Sequence, residues 1–253
     1  MADFEIKNGV AVIPEGTTTI GDDAFKFCSS LQSITIPESV TEIGERAFFG
    51  CSSLQSITIP ESVTKIGEYA FQGCSSLQSI VVAKGNPKFD SREGCNAIIE
   101  TATNTLIVGC PSTIIPESVT EIGESAFCDC SSLQSITIPE GVTEIGEFAF
   151  YRCSSLQSIT IPEGVTEIGY DVFADCSSLQ SITIPESVTE IGHGAFSGCS
   201  SLQSITIPES VTEIDDTSFY ECKALTTIYV PAKETDYYMQ RLPEKLHSLS
   251  VEL

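Results

Sequence analysis

Apolar positions return along this chain at spacings that change twice within each unit. In residues 28–50, Leu31, Ile34 and Ile36 follow an L-x-x-I-x-I pattern with Ser33 and Thr35 between them. Ile34 and Ile36 lie two apart, so they share one face of a short strand while Ser33 and Thr35 share the other. Pro37 ends that strand, because proline cannot donate to a ladder. Val40 is expected to point inward from the turn that follows. The period then shifts: Ile43, Ala47, Phe48 and Cys51 are spaced as one face of a short helix. Gly44 opens this piece, where a positive φ or a close backbone approach is expected.

The unit repeats. The string "CSSLQSI" occurs seven times without change, and the cysteines of this series stand 23 residues apart, at Cys28, Cys51 and Cys74 and then from Cys130 to Cys222. Leu and Ile at fixed places in a period of 20 to 29 signal a leucine-rich solenoid. One such unit cannot bury its apolar face alone, so units stack, strand on strand and core on core. The expected architecture is an α/β repeat solenoid of stacked short strands and short helical pieces.

The periodicity divides the chain into one solenoid over 1–253. Residues 1–27 read as an N-terminal hairpin cap, with an Asn8-Gly9 turn, and a degenerate repeat. Regular units follow over 28–80. An insertion with a hairpin occupies 81–112, its strands at Asn96–Ile99 and Thr105–Val108. Regular units resume over 113–221, and 222–253 read as a C-terminal cap with a short helix near 235–242. If the inserted hairpin turns between Ala102 and Thr103, Cys95 falls opposite Cys110, within disulfide reach.

Charge and chemistry narrow the function classes. The net charge of −23 disfavours nucleic acid and anionic lipid as partners. No stretch reaches the roughly 18 apolar residues of a membrane helix, and "MADFEIKNGV" does not read as a signal peptide. His193 and His247 are the only histidines, and neither a nucleophile elbow nor a phosphate loop occurs. No enzyme activity and no cofactor are therefore expected. The cysteine series follows the inward phenylalanines by three residues, which suits small buried apolar groups rather than a metal ladder. Glutamates form two rows, one from Glu38 to Glu209 and one from Glu42 to Glu213, the latter broken by Lys65. Weak calcium binding across these rows stays open, although they lack a shaped loop and carbonyl ligands.

Most repeat positions are copied, but those around the expected helical piece vary. They hold Arg46, Phe49, Tyr69, Gln72, Phe148, Tyr151, Arg152, Tyr170, His193 and Tyr220. Aromatic residues with arginine are favoured at protein-binding hot spots. Arg46, Phe49, Tyr69, Phe148, Tyr151, Arg152, Tyr170 and Tyr220 are the candidate partner-binding residues, set against relaxed constraint at solvent-facing positions.

The combination I-P-E-x-V-T-x-I-G-x-x-A-F-x-x-C-x-x-L, complete in "IPESVTEIGERAFFGCSSL" at 36–54, resembles the BspA-like leucine-rich repeats. These belong to surface proteins of anaerobic gut and oral bacteria, spirochaetes and some protists. The resemblance implies a right-handed leucine-rich-repeat superhelix with a parallel sheet on the concave side and short helices or 3-10 turns on the convex side, and a binding role in adhesion, coaggregation or recognition of host matrix proteins. It places the protein outside the cell or on its surface, with an extracellular or host protein as partner. A monomer or weak homodimer is expected, the exposed aromatics being the surface that would pair side by side. Natural units of that family drift more than these do. An engineered or consensus scaffold with no native ligand is the alternative reading.

Overall fold

The computed structural model describes residues 4–230, 242, 247–248 and 250–252. It is a stack of coils held by three parallel ladders. The first ladder joins the Ser-Ile-Thr strands: Val10–Val12, Ser33–Thr35, Ser56–Ile59 and Ser79–Val82 lie side by side, and Ser158–Thr160 pairs with Ser181–Thr183 further on. The second joins two-residue strands such as Glu42–Ile43 and Lys65–Ile66, in register Glu42↔Lys65 and Ile43↔Ile66. The expected Asn8-Gly9 hairpin is present, with φ of 51° and 81° at its two central residues, as the tight hairpin turn requires.

The third ladder replaces the helices expected after each glycine. In residues 44–51, alternate N–H groups do different things. Ala47, Phe49 and Cys51 donate to carbonyls three residues back, closing successive turns. Arg46, Phe48 and Gly50 donate instead to Glu68, Ala70 and Gln72 of the next coil. A helix would keep all of these bonds within the segment; here half of them go to the neighbouring coil. The backbone makes this possible by entering the left-handed region twice per coil, at Arg46 (φ 53°) and Gly50 (φ 69°). Gly44 itself is not at positive φ. Its requirement is close approach, since a Cβ there would lie 2.6 Å from the Asp22 backbone nitrogen. Positive φ therefore falls two residues later than the sequence suggested. The described helical structure is the 3-10 turn Arg92–Gly94 in the insertion and two 3-10 residues at 247–248; the helix expected over 235–242 lies outside the described residues, apart from Leu242, which is buried.

The core is a spine of copied side chains. Phenylalanine rings stack from Phe4 through Phe25 and Phe48 to Phe71, with centroids 5.2–5.3 Å apart. A second stack runs from Phe127 through Phe150, Phe173 and Phe196 to Phe219 at 5.2–5.7 Å. Beside the rings run the thiols. Cys51, Cys74, Cys153, Cys176, Cys199 and Cys222 each donate to the phenylalanine carbonyl 26 residues earlier, at 3.0–3.2 Å. Each cysteine thus fills a small apolar space and also ties its coil to the one before.

The insertion interrupts all three ladders and divides the core. The first sheet ends at Ser79–Val82, where Asn96 Oδ1 accepts from the Ile80 N–H and Ser91 Oγ from the Val82 N–H. The hairpin strands are Ile98–Glu100 and Thr105–Val108, and the latter starts a new run of the second ladder against Glu121–Ile122. A bulge between Ile98 and Ile99 shifts the register by one residue, so the alignment that would set Cys95 opposite Cys110 is lost. The expected bridge is not formed: all eleven cysteines are free thiols, and Cys95 and Cys110 belong to different apolar clusters.

Candidate functional site

The turn ladder is where the varied residues sit, and its backbone decides how they are displayed. Two rows of residues take positive φ. The first contains Asp23, Arg46, Tyr69, Ser125, Phe148, Asp171 and Gly194; the second, four residues on, contains Phe27, Gly50, Gly73, Asp129, Arg152, Asp175, Gly198 and Glu221. Glycine, asparagine and aspartate take this conformation cheaply, whereas other side chains lose about 1–2 kcal/mol each. Arg46, Tyr69, Phe148 and Arg152 occupy it nonetheless.

Four of the candidate residues come together. The Phe148 ring lies 5.9 Å from Tyr151, edge to face, and 5.0 Å from Tyr170. The Arg152 guanidinium stands over the Tyr151 ring at 5.0 Å, within cation–π range. Tyr170 stacks on His193 at 4.8 Å, so the cluster spans three successive coils. Arg152 also reaches Asp175 of the next coil at 3.6 Å. Tyr170 is 40% exposed, and Arg152 and His193 are exposed too, so the group forms a surface with an aromatic face and one fixed cation. Burial pushes the Tyr151 hydroxyl up, with Arg152 opposing that shift. Burial also raises the Asp171 carboxyl, which His193 partly offsets.

The other candidates stand apart from this cluster. Arg46 is held between Asp23 and Glu45, at 3.4 and 2.9 Å. Phe49 packs edge to face on Phe27 at 5.4 Å, with Lys26 over both rings. Tyr69 donates its hydroxyl to Glu124 Oε1 at 2.5 Å, across the insertion. Tyr220 is 54% exposed near the far end. Phe27, 66% exposed, escaped the sequence reading because it lies in the degenerate first unit. Its alignment with Gly50, Arg152 and Gly198 was the available signal.

The remaining chemistry is structural. Burial raises the Cys51 and Cys128 thiols to about 12, so these two are neutral packing groups rather than nucleophiles. Glu167, Glu190 and Glu213 lie in direct register, and Glu190 is raised by partial burial and then by its two neighbours. Lys65 relieves the equivalent row by pairing with Glu42 at 2.6 Å. Among the described residues no group of three or more His, Cys, Asp or Glu could hold a metal ion, and no helix is long and apolar enough to cross a membrane.

These features define a leucine-rich-repeat solenoid whose variable side chains are displayed on stacked turns. The chain belongs to the BspA-type leucine-rich repeat family: the family model matches in six copies, over residues 6–104 and 108–239. It is similar to the crystal structure of a leucine-rich cell surface protein from Faecalibacterium prausnitzii, with 38% identity and a TM-score of 0.80. That match covers 90% of this chain and 61% of the other, so this chain spans less than two thirds of that protein's length. A leucine-rich repeat protein from Bacteroides ovatus matches with 26% identity and a TM-score of 0.57, covering 96% of this chain and 69% of the other. The pneumococcal vaccine antigen PcpA shares the fold, with a TM-score of 0.77 at 24% identity, over 87% of this chain and 56% of that one. No curated protein matches the chain.

Proposed function

We propose that this chain is a non-enzymatic protein-binding module of a secreted or surface-displayed bacterial-type protein, acting in adhesion. The observation that carries the reading is the continuous group Phe148, Tyr151, Arg152, Tyr170 and His193 on the turn ladder. Large rigid rings and an arginine give contact area at low entropic cost, which is the composition of binding hot spots. Bulky side chains held at positive φ point the same way. Strain retained where glycine would serve is a mark of side chains kept for what they contact. The net charge of −23 favours a partner with a basic surface and steers its approach. The likeness to a cell surface protein of F. prausnitzii supports an extracellular setting and a host or neighbouring-cell protein as partner.

The test is a surface plasmon resonance panel of extracellular matrix, serum and bacterial surface proteins against the chain. The expected result is a binder whose affinity falls at least about tenfold in Tyr170→Ala and in Arg152→Ala, and is unchanged by Gln180→Ala on the strand side. Binding that ignores both turn-ladder changes but is lost with Gln180→Ala would overturn the assignment. A second reading, a consensus scaffold with no ligand, is favoured by the seven identical "CSSLQSI" strings. It predicts no binder in the whole panel.

A further inference from the structure

The turn ladder is broken once among the described coils, at the insertion, and the break leaves a site. In the coils that begin at Gly21, Gly44, Gly123, Gly146, Gly169 and Gly192, alternate N–H groups donate to the next coil, to its carbonyls except at Gly194, which donates to Thr217 Oγ1. In the coil at 67–74 the corresponding donors are the N–H groups of Tyr69, Phe71 and Gly73, and among the described residues none of them has an acceptor. In the facing coil at 123–130, the Glu124 and Cys128 carbonyls have no donor among the described residues, whereas the Ala126 carbonyl between them is met by Gly109 N–H. Between the two coils lies a cleft of about 290 Å³ with apolar walls that include Ile66, Phe71, Leu77 and Ile107. Ser125 lines it as well, and its Oγ is buried without a hydrogen-bond partner. Phe71, Cys128 and the Ser125 Oγ are buried, and nearly all buried polar groups are paired in folded proteins, so a donor, an acceptor and a hydroxyl left open around one cleft point to a polar occupant.

The pattern also specifies the occupant's chemistry. A group that accepts from one wall at the alternate positions Tyr69, Phe71 and Gly73, and donates to the other on either side of the Gly109–Ala126 bond, has the bonding pattern of a polypeptide backbone. The apolar lining suits one or two aliphatic side chains. The mouth is acidic, with Glu68, Glu124 and Glu147 all close enough to act on the Tyr69 hydroxyl and Glu121 in the lining. Two side-chain bonds cross the mouth, Tyr69 to Glu124 at 2.5 Å and Gln72 Nε2 to Cys128 Sγ at 3.0 Å. An entering lysine would take Glu124 from Tyr69 and so release the first clasp. We propose that the cleft between the coils at 67–74 and 123–130 binds a short, extended, lysine-bearing peptide segment that bonds to the open backbone groups of both walls. This goes beyond the surface reading above, because it uses different residues, on the two coils that flank the insertion.

The probe is the capped peptide acetyl-Lys-Val-Ile-Lys-amide, titrated to about 1 mM into the full ¹⁵N-labelled chain. The expected result is saturable shifts of the Tyr69, Phe71, Gly73 and Ser125 amides, with slowed exchange at the first three. Affinity should fall at least about tenfold when the peptide's backbone nitrogens are methylated, and by a similar factor when glutamates replace its lysines. Two cleft-filling variants, Ile107→Trp and Ser125→Leu, each checked for folding by circular dichroism, should abolish binding, whereas Gln180→Ala, far from the cleft, should leave it unchanged. Absence of shifts at these amides, equal binding of the methylated peptide, or undiminished binding by both folded cleft-filling variants would overturn the proposal.

Discussion

At Cys176 the thiol points at the Phe150 carbonyl of the preceding coil, 3.2 Å away, and the residue is fully buried. Sequence spacing was enough to place this series in the core, but not to show the cross-coil bond, because a thiol's partner depends on the neighbour's register. The bond has a pH consequence. Burial raises these thiols above their ordinary value of 9.0, with Cys51 at about 12. Below pH 9 both folded and unfolded chains keep the protons, so nothing changes. Above it the unfolded thiols ionise while the folded ones do not, and stability falls as pH rises. Each such thiol removes about 1.4 kcal/mol per pH unit. Urea midpoints measured from pH 8 to pH 11 should be flat to about pH 9 and then drop steeply; Cys176→Val should drop less steeply. The display rows make a second prediction at this scale. Arg152 sits at φ 58°, where other coils place Gly50, Gly73 and Gly198. Arg152→Gly should leave stability unchanged or raise it by up to about 1 kcal/mol, while weakening partner binding. Urea denaturation and surface plasmon resonance on the same sample check the two halves.

Elements were legible in the sequence where period and turn chemistry agreed. Ser33, Ile34 and Thr35 alternate and form a strand; Asn8-Gly9 forms its hairpin. The segment from Gly44 to Cys51 was read as helix because Ile43, Ala47, Phe48 and Cys51 fit a helical face. Stacked turns put the same residues inward, so the pattern could not separate the two. The deciding fact, two positive-φ residues per coil, was hidden because Arg46, Tyr69 and Phe148 are not residue types that signal it. The one-residue bulge at Ile98–Ile99 was equally silent, and it removed the Cys95–Cys110 alignment. The aromatic cluster could be suspected from the variation between units, but the cleft could not, since it depends on which coil faces 67–74 across 33 extra residues. Position within the stack also governs the glycines. A Cβ on Gly146 would sit 2.6 Å from the Glu124 backbone nitrogen, whereas one on Gly21, the same repeat position in the first coil, meets nothing within 4 Å. Gly146→Ala should therefore destabilise by about 1–3 kcal/mol, and Gly21→Ala should be neutral or stabilise by up to about 1 kcal/mol. Thermal melts of the two variants distinguish a packing requirement from a conformational one.

Across the whole molecule, coil-to-coil bonding turns one weak unit into a continuous body, and the insertion is where that bonding stops. One apolar cluster gathers residues from Ala11 to Cys110, the other from Cys95 to Leu242, and the aromatic stack passes through each without joining them. Repeat proteins take their stability from such neighbour contacts, so the boundary is the place to test the fold and the cleft together. The most direct measurement is residue-resolved amide hydrogen exchange on the free chain. The account predicts strong protection at Phe48, Phe127, Phe150 and Phe173, whose N–H groups donate to the next coil, and rapid exchange at Tyr69, Phe71 and Gly73. Equal protection at Phe71 and Phe48 would mean the ladder runs unbroken through the insertion, and would contradict it.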